Sequence, residues 1–264
     1  MSSSFPATPE NVYLACNASA LAINELSRSL PNDSVDIREY DERMGDTHIS
    51  DPLNTSHRLL GMYLIGAGDF LYSIGKLVGL ENPMVMSPGA LARSVMEYSS
   101  RAWWIATAPD PDLRALRGHT LIRSGYSDAK KTGIEDIPGS KRIDHTLNSW
   151  RAKRPNLPKV STPKIANLVE AMLGDQGKRS YNSLSEVAHG NALTLIVSAV
   201  GSAAKDPTSL ESVLIQAIHA NMVALIAAER TTELWNVRPD DLDHCVQLCR
   251  HLMVEDDQDP SQDG

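Results

Sequence analysis

The chain has 264 residues, 42% of them hydrophobic, and a formal net charge of −8. That apolar fraction supplies a core and excludes a chain disordered throughout, and the acidic balance argues against a broad nucleic-acid surface while leaving room for a local basic pocket. Three cysteines, Cys16, Cys245 and Cys249, form an odd set with two of them one helical turn apart, which points away from a disulfide framework and towards a reducing cytoplasm.

The opening segment MSSSFPATPE has no basic region and no continuous apolar run, and no later run reaches about twenty uninterrupted apolar residues, so neither an export signal nor a membrane span is expected. Thr8 is placed to cap a helix that Pro9 opens and that runs to about residue 30. Residues 31–54, rich in acids, read as a long loop around a short helical piece. Thr55 or Ser56 is the expected cap of the next helix, HRLLGMYLIGAGDFLYSIGKLVGL, which is apolar nearly all round; its glycines permit close helix approach. Asp69 in its middle is therefore expected to be a buried acid paired with an arginine such as Arg93.

Ser87 and Pro88 start the helix that carries RSVMEYSSRAWW, and Asp110-Pro111 starts the arginine-rich DLRALRGHTLIRSGYSDAKKTG. Residues 132–162 read as a linker around the short helix IDHTLNSW. Thr162-Pro163 then precedes KIANLVEAML, followed by KRSYNSLSEVAHGNALTLIVSAV and the long apolar SLESVLIQAIHANMVALIAAERTTELW. Pro239 begins a last amphipathic helix. Period-two alternation is missing. The expectation is an all-α fold, a bundle of about seven to eight helices. Residues 1–30 form an N-terminal helix, 55–254 the main domain and 255–264 a disordered acidic tail.

Two stretches carry the candidate chemistry. Arg93, Glu97 and Arg101 recur every four residues and share one helical stripe, beside the apolar Met96 and the pair Trp103 and Trp104. Tyr181, Ser185 and His189 repeat that spacing, with Gly190 and Asn191 directly after. Two such ladders on two helices can face each other. The helix with Arg114, Arg117, His119, Arg123 and Tyr126 is locally cationic and suited to a phosphate, sulfate or carboxylate. His244, Cys245, Cys249 and His251 resemble metal ligands, but the two histidines lie off the face that the cysteines share, so no metal is expected. No glycine-rich phosphate loop, GxSxG elbow or HExxH helix occurs, which leaves cofactor-free acid–base or anion-binding chemistry.

In this reading Arg93, with Arg117 or Arg123, holds a small anionic metabolite, His189 acts as general acid or base, and Glu97 orients the histidine or an arginine. Tyr126, Tyr181, Ser185 and Asn191 are further ligand-binding candidates. The reaction type would be elimination, cyclisation or hydrolysis. The apolar helix at residues 209–235 predicts a homodimer. A non-catalytic helical adaptor, its ladders being ordinary ion pairs, is the alternative the same residues allow.

The order of elements, a long apolar helix, then RSVMEYSSRAWW, an arginine-containing helix after an Asp-Pro turn, and YNSLSEVAHGN before an apolar helix, resembles helical proteins of the HEPN superfamily and their uncharacterised bacterial relatives over about residues 55–235. The resemblance implies a dimeric, metal-independent ribonuclease or defence component that cuts RNA with an arginine and a following histidine. His189 would stand at the subunit interface. The nearest arginine before it, Arg179, lies further upstream than that family's spacing.

Overall fold

The computed structural model describes residues 7–31, 34–84, 86–131, 140–188, 196 and 207–253. They form nine helices with no strand among them. In chain order these are α1 (Pro9–Arg28), α2 (Val35–Met44), α3 (Pro52–Val78), α4 (Met86–Ala106), α5 (Pro111–Lys131), α6 (Ser140–Ala152), α7 (Ile165–Ala188), α8 (Pro207–Trp235) and α9 (Leu242–Met253). The all-α bundle expected from periodicity is the fold, with α2 as the element that the sequence reading left inside a loop.

Local chemistry sets several of these ends. The Thr8 hydroxyl accepts from the Asn11 amide at 3.3 Å, and the Asp110 carboxylate accepts from the Leu113 amide at 2.7 Å, so α1 and α5 start where cap and proline coincide. The start of α3 follows a different rule. It begins at Pro52, ahead of Thr55 and Ser56, and its first amides are capped from another helix: the Asp41 carboxylate of α2 accepts from Leu53 at 2.7 Å and Asn54 at 3.1 Å. Ser56, expected as the cap, is buried and donates instead to the Pro52 and Ala115 carbonyls.

The main core cluster runs from Val12 of α1 to Leu252 of α9, and two smaller clusters form around Ile37 and Tyr40 and around Leu147 and Trp150. α3 packs between α1 and α4, and α4 packs in turn against α7 and α8. Val12, Leu64, Met96 and Leu225, one from each of α1, α3, α4 and α8, are fully buried; each such side chain contributes about 1.5–3 kcal/mol of burial. Two glycines let α3 approach its neighbours. A Cβ at Gly66 would overlap the Tyr98 ring of α4, and a Cβ at Gly118 of α5 would overlap Ser56 of α3. In α7 the helical run bends at Gly174, whose φ of 67° is left-handed.

One expectation is corrected here. Asp69 is exposed, because the face of α3 that carries it points outward along with Met62 and Ile65; Arg93 pairs elsewhere. The short helical piece expected within residues 31–54 is α2, which packs Ile37 and Tyr40 against Leu53 and Ala115. The apolar surface of α8, taken as a dimer face, is covered by this chain's own α1, α4, α7 and α9. Among the described residues α8 is the one helix long and apolar enough to cross a membrane, and 67% of that apolar window is buried inside the bundle.

Candidate functional site

α4 and α7 bring part of the expected constellation together. Arg93 Nε lies 3.1 Å from Glu97 Oε1, and Arg101 Nη1 lies 3.6 Å from Glu97 Oε2, with the three side chains 20–27% exposed. The Arg93 Nε is off the hydrogen-bond line despite its short distance, so this pair is a charge contact and not a bond. From α7 the Tyr181 hydroxyl donates to Glu97 Oε1 at 3.1 Å, and the Arg93 guanidinium sits 5.9 Å over the Tyr181 ring. Burial first, then the Glu97 carboxylate, raise the Tyr181 pKa and keep the phenol protonated as a donor. Two guanidiniums thus flank one carboxylate, leaving one positive charge half-buried between α4 and α7.

The other expected members stand apart. The Ser185 hydroxyl turns back to the Tyr181 carbonyl at 2.9 Å within its own helix. Arg117 donates to the Trp104 carbonyl and, at 3.3 Å, to Thr107 Oγ1, and stacks 5.2 Å over the Trp104 ring. Arg114 donates to the Ala108 carbonyl at 3.3 Å, just past the end of α4, so the two arginines together satisfy carbonyls at the turn that closes that helix. The pairing of Arg93 with Arg117 over one anion is therefore not what this arrangement offers. Arg123 lies on a pocket between α5 and α6, and Tyr126 is half-buried further along α5. His189 and Asn191 lie outside the described residues.

The cysteines read as core. Cys16, Cys245 and Cys249 are buried and free, the Cys249 thiol faces the Ile218 carbonyl at 3.6 Å, and burial pushes the Cys16 thiol up to about 12. Among the described residues no group of His, Cys, Asp and Glu is arranged for a metal ion.

A groove that the sequence reading did not anticipate opens on the other side of α7. Gln176, Arg179, Ser180 and Ser183 of α7 form one wall. Thr208, Glu211, Ser212, Ile215, Gln216 and His219 of α8 form the other, around a volume of ≈ 530 Å³. That is within the range of small-molecule sites. His219 is 5% exposed, and its Nδ1 lies 3.0 Å from Ser180 Oγ. Both walls carry polar side chains set in a largely apolar surface, with one cation, one carboxylate and two carboxamides able to bind a charged ligand at several points. The signal was in the sequence: Gln176, Ser180 and Ser183 fall at helical spacing, as do Ser212, Gln216 and His219. Their pairing across two helices was not.

Compared with protein-family models, with curated proteins and with solved structures, the chain finds no match.

Proposed function

We propose that this protein binds a small anionic metabolite in the groove between α7 and α8 and moves a proton on it without a cofactor. The observation that carries this reading is the Ser180–His219 contact on the wall of a ligand-sized groove that also holds Arg179. Arg179 supplies the charge for a carboxylate or phosphate. Gln176 and Gln216 fix its orientation through their amides. With its own proton on Nε2, His219 accepts the Ser180 hydroxyl at Nδ1. A substrate proton passes to Ser180 Oγ as the hydroxyl proton passes to His219, and the reverse transfer delivers a proton to a leaving group. Elimination and cyclisation of a small acid need no more than this.

The Arg93–Glu97–Tyr181 network belongs to the same reading as a support. Tyr181 follows Ser180 directly, so holding its hydroxyl against α4 fixes the rotation of α7 that presents Ser180 to α8. The test is a thermal-shift screen of anionic metabolites on wild type, Arg179→Ala and His219→Gln, followed by turnover of whatever binds. Binding lost in Arg179→Ala and turnover lost in His219→Gln are the expected results. A ligand that shifts all three proteins equally and is converted equally would overturn the assignment.

A further inference from the structure

We propose that the α7–α8 groove selects a zwitterion: an acid whose far end carries an amine, with a short aliphatic chain between the two charges. The inference rests on the reading of that groove as the ligand site and names the class of molecule it takes. The groove holds one charge of each sign, Arg179 on the wall from α7 and Glu211 on the wall from α8. No ion pair joins the two, and none among the described residues uses either. By contrast Lys178 of α7 is answered by Glu170 at 2.8 Å, and Arg230 of α8 by Glu233 at 2.6 Å. A cation and a carboxylate held apart on one concave surface suit a ligand that carries both signs.

The order of groups along α8 sets the spacing. Arg179 directly precedes Ser180, whose hydroxyl meets the buried His219, so the cation stands at the His219 end of the groove. Glu211 comes about 12 Å before His219 along the α8 axis and is exposed. Ile215 lies between them and is half-buried. An anionic head on Arg179 therefore puts the neighbouring carbon beside Ser180 and His219, an aliphatic stretch over Ile215 and a positive tail at Glu211. The arginine and glutamate side chains reach over part of that span, and the ligand covers the rest. An α-amino acid, which carries both charged groups on a single carbon, is too short to meet both. A diacid of the right length brings the wrong sign to Glu211 and is repelled there.

The experiment titrates the full chain with three acids of equal carbon number that differ at the far end: 6-aminohexanoate, hexanoate and adipate. Binding is followed at the Ser180 and Ser212 backbone amides by two-dimensional NMR at neutral pH and constant ionic strength. The expected order of affinity is 6-aminohexanoate, then hexanoate, then adipate, each step about two- to fivefold, the worth of a solvent-exposed charge contact. Glu211→Gln should bring the three together near the hexanoate affinity. Glu211→Lys should invert the order, a signature that a merely structural role does not produce. Glu211 is exposed, so both variants keep the fold. Arg179→Gln should weaken all three acids, and glycine, a short zwitterion, should bind wild type and Glu211→Gln alike. Equal affinities for the three acids in wild type, an order that Glu211→Lys leaves as it was, or a glycine affinity that falls in Glu211→Gln overturns the zwitterion; hexanoate binding lost in Arg179→Gln then still upholds the groove. Groove amides that no probe moves, or binding that Arg179→Gln leaves intact, overturn both.

Discussion

The two faces of α7 put neighbouring residues to opposite uses. Tyr181 turns towards α4 and closes a network in which the hydroxyl, the Glu97 carboxylate and two guanidiniums answer one another. Ser180, one residue earlier and so about 100° round the helix, turns towards α8 and meets His219 at the wall of an open groove. The first face turns its tyrosine and carboxylate inward on the arginines of α4, with one positive charge left over, and its clearest work is to hold the helix in place. The second carries hydrogen-bonding capacity that faces solvent, the condition for taking a ligand. Charge density alone does not mark a site; what matters is whether the charges have already been answered inside the chain.

The largest effect that sharpens this contrast is kinetic. With a substrate in hand, His219→Gln and Ser180→Ala should each lower kcat by about 10²–10⁴-fold, the scale of a positioned general base, while circular dichroism and melting stay near wild type. Loss of activity from Tyr181→Phe as large as from Ser180→Ala would erase the distinction between the two faces. Next in size is stability. Leu184→Ala, a fully buried residue of α7, should destabilise by about 2–5 kcal/mol in chemical denaturation, whereas Ser183→Ala on the groove should stay within about 0.5 kcal/mol.

The same contrast between closed and open sites separates the histidines. His57 is 3% exposed, accepts from the Trp235 indole at 2.9 Å, and burial with the nearby Arg114 charge pushes it down to about 3; burial likewise lowers His119 to about 4. Both are neutral in the fold but protonate near 6.5 once unfolded. Between those values the unfolded chain binds more protons, so stability rises with pH across the window and falls as pH drops from 6.5 towards 4. The expected loss is on the order of a few kcal/mol, and His57→Phe should flatten part of it in melting curves recorded between pH 4 and 7. A pH-independent melting temperature over that range would show that these rings are not held neutral by burial.

Whatever was encoded locally was legible in the sequence. Thr8 with Pro9 and Asp110 with Pro111 mark helix starts within a few residues, and four-residue spacing put Arg93, Glu97 and Arg101 on one stripe. What depended on a distant partner was not. α2 buries only Ile37, Tyr40 and Asp41, too few for a visible period, and its role is to cap α3 from outside it. Asp69 was misread because Met62, Ile65 and Tyr72 make its surroundings look apolar, although these residues are 43–64% exposed. Arg117 has the right composition for an anion site, but its direction is set by the end of α4, which its own helix does not announce. Ser180 and His219 are 39 positions apart, and only the packing of α7 on α8 joins them.

Smaller effects separate an answered charge from an open one. Tyr181→Phe removes one neutral donor from a carboxylate that keeps both arginines, so it should cost about 0.5–1.5 kcal/mol. Asp69→Asn should cost less still. Its carboxylate is exposed on the outer stripe of α3, its backbone carbonyl already accepts from Ser73 Oγ at 2.9 Å, and no ion pair among the described residues uses it. The change removes a charge and keeps the shape, so denaturant midpoints should agree within about 0.5 kcal/mol. A larger loss would mean that Asp69 is held by something this chain does not supply on its own, and a second copy laid along the Met62–Ile65 stripe would then be the first thing to look for by native mass spectrometry.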